Sequence, residues 1–119
     1  MTQSTDTSNL NKPPSETQWG KFEEAVQRGP MAWHVTTPSH AGIWVTAQGM
    51  QLIAPAFQKN RTADGCGWFE DDEFAIPYVA LDLHQYHPVV ESRAHARAVA
   101  VNVLTTNYNA TPEDVRAKK

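Results

Sequence analysis

Four consecutive carboxylates, Glu70-Asp71-Asp72-Glu73, follow the glycines and aromatics of Gly65-Cys66-Gly67-Trp68-Phe69, and His40 stands upstream beside Ser39. A histidine with two carboxylates can ligate a divalent metal or serve as a general acid/base pair. His40, Glu70 and Asp72 are therefore the set from which a small metal-dependent hydrolase or transferase would be built. A structural account asks less of them: Ser39 and His40 hydrogen-bond within a turn, and Asp72 caps a helix. One histidine with separated acids lacks a second clear ligand, so no metal, no cofactor and no catalytic residue is expected.

The other reactive side chains are thinner still. His84 and His87 stand three apart, as zinc ligands on a helix can, but Pro88 disfavours helical geometry at His87, and a polar connection fits them better. Ser39 and His40 are adjacent, so in extended chain they point to opposite faces and cannot act as nucleophile and base. Cys66 has no evident basic neighbour to lower its pKa, and as the single cysteine it permits neither an intrachain disulfide nor a cysteine-built zinc site.

The acidic run itself needs a reason, because adjacent carboxylates repel unless a helix N-terminus, a cation or a basic partner offsets them. With Trp44 or Trp68 exposed beside Glu70 and Asp71, the patch would combine an aromatic anchor with an acidic rim, as protein-binding hot spots do. The expected binding set is Trp44, Trp68, Glu70, Asp71 and Glu73, with His40 and Asp72 as a polar site next to it.

The elements that must position these residues belong to one domain. A chain of 119 residues can bury roughly two thirds of its unfolded surface. The net charge of −3, with no Lys/Arg cluster beyond Arg116, Lys118 and Lys119, argues against direct binding to nucleic acid or anionic lipid. No apolar run approaches a membrane span and the N-terminus lacks signal-peptide character, so a cytoplasmic location is expected.

Residues 1–14 hold little that could offset the entropy of ordering and are expected as a disordered tail. Ser15 and Gln18 have capping-box spacing, and Trp19, Phe22, Ala25 and Val26 recur at helical intervals, which predicts a short N-terminal helix with Gly20 as its flaw. Met31 to Thr37 and Ile43 to Thr46 predict a β-hairpin across Pro38 to Gly42, while Met50 to Ile53 fits either a strand or a turn. Trp33 and Val35 share one face of the first strand, His34 and Thr36 the other. Residues 58–67 read as a loop.

Phe74, Ala75, Tyr78, Val79 and Leu81 form a helical stripe with Asp71 or Asp72 placed to cap it. Pro77 must kink that helix or make it begin later than Asp72. Pro88 suits a helix start, and Val89 to Thr105 predicts a long helix with Val90, Ala94, Val101 and Leu104 on one side. Thr111-Pro112-Glu113-Asp114 caps a short helix in a fraying tail, 109–119. The architecture is α+β over 15–108: a small antiparallel sheet of two or three strands, a short N-terminal helix, and two C-terminal helices packed on one face.

Trp19-Gly20, Thr37-Pro38-Ser39-His40-Ala41-Gly42 and Gly67-Trp68-Phe69-Glu70-Asp71-Asp72, in this order, resemble the signature of a family numbered seven thousand and seven among the domains of unknown function. Its pattern is an early Trp-Gly, then Thr-Pro-Ser-His-Gly-Gly, then Gly-Trp-Tyr-Glu-Glu-Asp and a helix. Ala41, Phe69 and Asp71 depart from it, and Phe69 lacks the hydroxyl of the usual tyrosine. The resemblance covers about Trp19 to Tyr108 and implies no activity. It implies a genomic setting, the accessory genes of phages and plasmids, where anti-restriction and anti-CRISPR proteins are common. The expected function is stoichiometric binding to a host or defence-system protein with a basic surface, with a small metal-dependent hydrolase or transferase using His40, Glu70 and Asp72 as the alternative. A homodimer built on an exposed tryptophan patch stays open.

Overall fold

The computed structural model describes residues 13, 16–17, 20–21, 23–38, 40–58, 62 and 65–118. The expected disordered tail therefore lies outside the described residues except for Pro13, as do Ser15, Gln18, Trp19 and Phe22 of the expected first helix.

Where that helix was expected, the described residues are extended. Strands β1 (Glu16–Thr17) and β2 (Gly20–Lys21) form a small antiparallel pair, and β3 (Glu24–Gln27) joins a larger sheet. Ala25 and Val26 fit a helical stripe and a strand alike over so short a span. Gly20 weakens the helix, and the ladder of β3 on the next strand supplies the hydrogen bonds that decide the matter.

The larger sheet is antiparallel in the order β3, β4 (Ala32–Thr36), β5 (Ala41–Val45) and β6 (Gly67–Glu70). Among the described residues it has four strands rather than the expected two or three. The predicted β4–β5 hairpin is present, closed more tightly than expected. The Thr37 N–H donates to the His40 carbonyl at 2.7 Å, and the Thr37 hydroxyl accepts from the His40 N–H at 3.0 Å.

Register then sorts the side chains. Trp33, Trp44 and Trp68 lie opposite one another across β4, β5 and β6, and His34, Ile43 and Phe69 make the next row, pointing to the other face. Ile43, Val45 and Phe69 join the main core with the helices, so the helices pack on one face of the sheet as expected. Val35, Trp44, Cys66 and Trp68 form a second buried cluster on the opposite side. Because β6 is buried on both faces, it reads as a continuous Gly-Trp-Phe run with no polar alternation.

Of Met50 to Ile53, whose sequence fits a strand and a turn equally, Met50 ends a one-turn helix α1 (Ala47–Met50), capped by the Thr46 hydroxyl accepting from the Gly49 N–H at 3.1 Å, and residues 51–52 form a turn after it. Helix α2 (Ala75–Ala80) begins after Asp72, and Pro77 sits in its first turn, where a missing N–H has no intrahelical partner to lose. The long helix α3 spans Arg93–Tyr108, after a 3-10 turn at Val90–Ser92. Its buried side is Ala100 and Leu104; Val90, expected on the apolar side, is 63% exposed, and Ala94 is exposed as well. Asn109 ends α3 in the left-handed region that Asn tolerates.

Helix α4 (Pro112–Val115) starts at the expected Thr111 cap, with the reciprocal Thr111–Asp114 capping box. Within the segment expected as a fraying tail, Ala110 and Val115 are part of the main core. Val115 is 0% exposed, its carbonyl accepts from Ala54, and the Ala117 N–H donates to Leu52. The Arg116 guanidinium meets Asp82 at 2.8 Å.

A glycine contact joins the two ends of this architecture. Gly29 turns β3 into β4 at φ +91°, and a Cβ there would lie 2.6 Å from the Tyr86 ring. Glycine is thus required both for the backbone conformation and for the ring to reach the turn. Tyr86 ends a 3-10 turn, Leu83–Tyr86, so this contact ties the helix connection to the hairpin.

Two substitutions check these packing statements by urea denaturation. Val115→Ala is expected to lower the unfolding free energy by about 2 kcal/mol, whereas a fraying tail would leave it unchanged. Gly29→Ala is expected to cost about 2 kcal/mol or more, from the strained backbone and the steric conflict with Tyr86 together.

Candidate functional site

The acidic run lies where β6 leaves the sheet, and half of it serves the backbone. Asp71–Glu73 is a 3-10 turn whose N-cap is Glu70, not Asp71 or Asp72. Glu70 and Glu73 form a capping box in which the Glu70 N–H donates to Glu73 Oε1 at 3.0 Å. The turn is also tied to α3, because the Tyr108 hydroxyl donates to the Asp72 carbonyl at 3.2 Å. Burial, then the nearby Glu73 and Asp72 charges, push the Tyr108 phenol above its ordinary pKa, so it remains a donor at neutral pH.

Asp71 and Asp72 are the two exposed carboxylates of the run, and Asp71 Oδ1 stands 3.6 Å from His34 Nε2. The expected aromatic anchors are not beside them. Trp44 is 3% and Trp68 2% exposed, their rings 6.2 Å apart and tilted by 55° within the second core cluster. Three indoles in register across three strands bury one another, and that removes Trp44 and Trp68 from any binding surface.

His40 is exposed, with its backbone N–H and carbonyl both bonded to Thr37. It does not assemble with Glu70 and Asp72 into a metal-holding set. Among the described residues no three His, Cys, Asp or Glu side chains converge in that way, and Glu70 is already engaged in its cap. Ser39 lies outside the described residues.

The arrangement that sequence reasoning missed is a cleft of about 200 Å³ between the sheet and the helix connection. Arg28, His34, Ile43, Tyr78, Leu83 and His87 line it. They come from several places in the chain. Arg28 follows β3, His34 and Ile43 are register partners on β4 and β5, Tyr78 lies on α2, and Leu83 and His87 bracket the connection. The Gly29–Tyr86 contact sits next to Arg28 on one side and His87 on the other, and so holds the two walls together.

Two sequence signals pointed this way. His34 alternates to the face opposite Trp33, and Gly29-Pro30 marks a turn that brings Arg28 back over that face. Tyr78 and His87 carried no such signal, because only the packing of α2 and its connection on the sheet delivers them.

Burial raises the Tyr78 pKa, and the neighbouring Arg28 charge pulls against that larger effect. The phenol therefore keeps its proton at neutral pH. His87 Nδ1 faces both polar groups of Val89, the N–H at 3.1 Å and the carbonyl at 3.2 Å, so the ring is tied to that backbone in either tautomer. Among the described residues the ion pairs are His34–Asp71 and Arg116–Asp82, and neither involves the Arg28 guanidinium.

No curated protein and no solved structure matches the chain. The sequence model of the family described as Domain of unknown function (DUF7007) matches residues 12–119, which takes in the β4–β5 turn, the acidic turn and every residue of the cleft. The chain belongs to that family.

Proposed function

We propose that this protein is a small binding module that acts by stoichiometric association with another protein through the Asp71–Asp72 turn. The observation that carries the reading is how those two carboxylates are presented: exposed, side by side, on a turn held by the Glu70–Glu73 capping box at one side and by Tyr108 at the other. A pre-ordered pair of charges loses little entropy on binding a basic surface.

With Trp44 and Trp68 buried, the contact is electrostatic in character, without an aromatic anchor. Such contacts act chiefly on association rate and specificity, and they weaken with salt. In the setting that the resemblance implies, accessory genes of phages and plasmids, the partner is a host or defence-system protein whose basic groove would otherwise hold phosphates. Anti-defence inhibition is the specific form of the proposal. No observation favours the metal-dependent reading over this one.

The test compares capture of partners from host lysate by the wild-type protein and by a double variant, Asp71→Lys with Asp72→Lys. The variant is expected to keep its melting temperature and to lose the partner, and wild-type capture is expected to fall as salt is raised. Equal recovery by both proteins, at every salt concentration, would overturn the proposal.

A further inference from the structure

We propose that the cleft between the β3–β4 hairpin and the α2 connection is a binding site for a small oxyanion of the phosphate-monoester class. The polar groups that line it are matched to one kind of ligand. Arg28 offers only donors and a permanent positive charge. The Tyr78 hydroxyl retains its proton, and His87, whose Nδ1 is turned to the Val89 backbone, offers Nε2–H in the tautomer that accepts from the Val89 N–H. His34 completes the polar lining, and among the described residues no carboxylate or side-chain amide is part of it. A ligand with several acceptors and no required donor is what such a lining satisfies, and a charged acceptor makes each of those hydrogen bonds stronger.

The rest of the lining sets the ligand's form. Ile43 and Leu83 give the cleft an apolar side, which keeps the local dielectric low and strengthens the Arg28 charge. At about 200 Å³ the space lies below the range of sites for drug-sized molecules. It fits a phosphate-sized group carried on a short apolar or aromatic body. Asp71, 3.6 Å from His34, is the nearby opposing charge, and its exposure to solvent screens it.

This proposal uses residues other than those of the partner-binding turn, so the two fail separately. Inorganic phosphate and phenyl phosphate are titrated into the full chain, with sodium chloride as the ionic-strength control, and followed by heat and by the amide and side-chain NMR signals of Tyr78 and His87. Saturable one-to-one binding is expected, tighter for phenyl phosphate because of the apolar lining.

Arg28→Ala is expected to weaken it by about tenfold or more, the size of one lost hydrogen bond to a charged group. Arg28→Lys is expected to recover part of the loss. The Asp71→Lys, Asp72→Lys variant is expected to retain or improve phosphate binding. The NMR readout on wild-type protein needs no variant to fold. Shifts that grow linearly without saturating, or that sodium chloride reproduces, would overturn the proposal, as would an Arg28→Ala protein that folds and binds as the wild type does.

Discussion

The pairing of β6 onto β5 is the interaction on which the rest of this structure depends. It buries Phe69 against the helices and Trp68 against Trp44 in one step, because successive residues of a strand point to opposite faces. It also determines where the acidic turn emerges, since the strand ends at Glu70 and the capping box begins there. Without that pairing neither face of the sheet would be complete, and α2, which follows the turn directly, would have no fixed starting point.

The acidic run is a case in which charge in a sequence and charge available to a partner differ. Glu70 and Glu73 are committed to one another's turn, and Tyr108 binds the backbone of Asp72. Two carboxylates remain free to meet another molecule, and one of them lies beside His34. The positive counterpart is not a surface patch. It is a single guanidinium beside a protonated phenol and two imidazoles, on the side of the sheet that also supports the helices.

The parts of the fold legible in the residues were those governed by local rules. Pro38 to Gly42 marked the hairpin connection, Pro77 required either a kink or a later helix start, and Thr111-Pro112 announced a cap. What was not legible depended on distant partners. Ala25 and Val26 look helical until β4 is there to pair with them, and Gly67 to Glu70 looks like a loop end until β5 offers its edge. The tail gave the same difficulty, because only the bridge between Ile53 and Arg116 explains why Val115 is enclosed. For the candidate sites, the acids and His40 were visible as types, but the burial of Trp44 and Trp68, and the meeting of Arg28 with Tyr78 and His87, are products of tertiary packing.

That enclosure of Val115 bears on how the protein is made. The residues that close over Ile53 and Leu52 come more than sixty positions later in the chain, so a growing polypeptide on the ribosome holds the α1 end of its core uncovered until they emerge. The sheet strands, by contrast, pair mostly with their immediate successors and can zip as they appear. Synthesis thus proceeds with a nearly finished sheet and an open apolar seam beside it, a state in which exposure to chaperones and proteases depends on elongation speed.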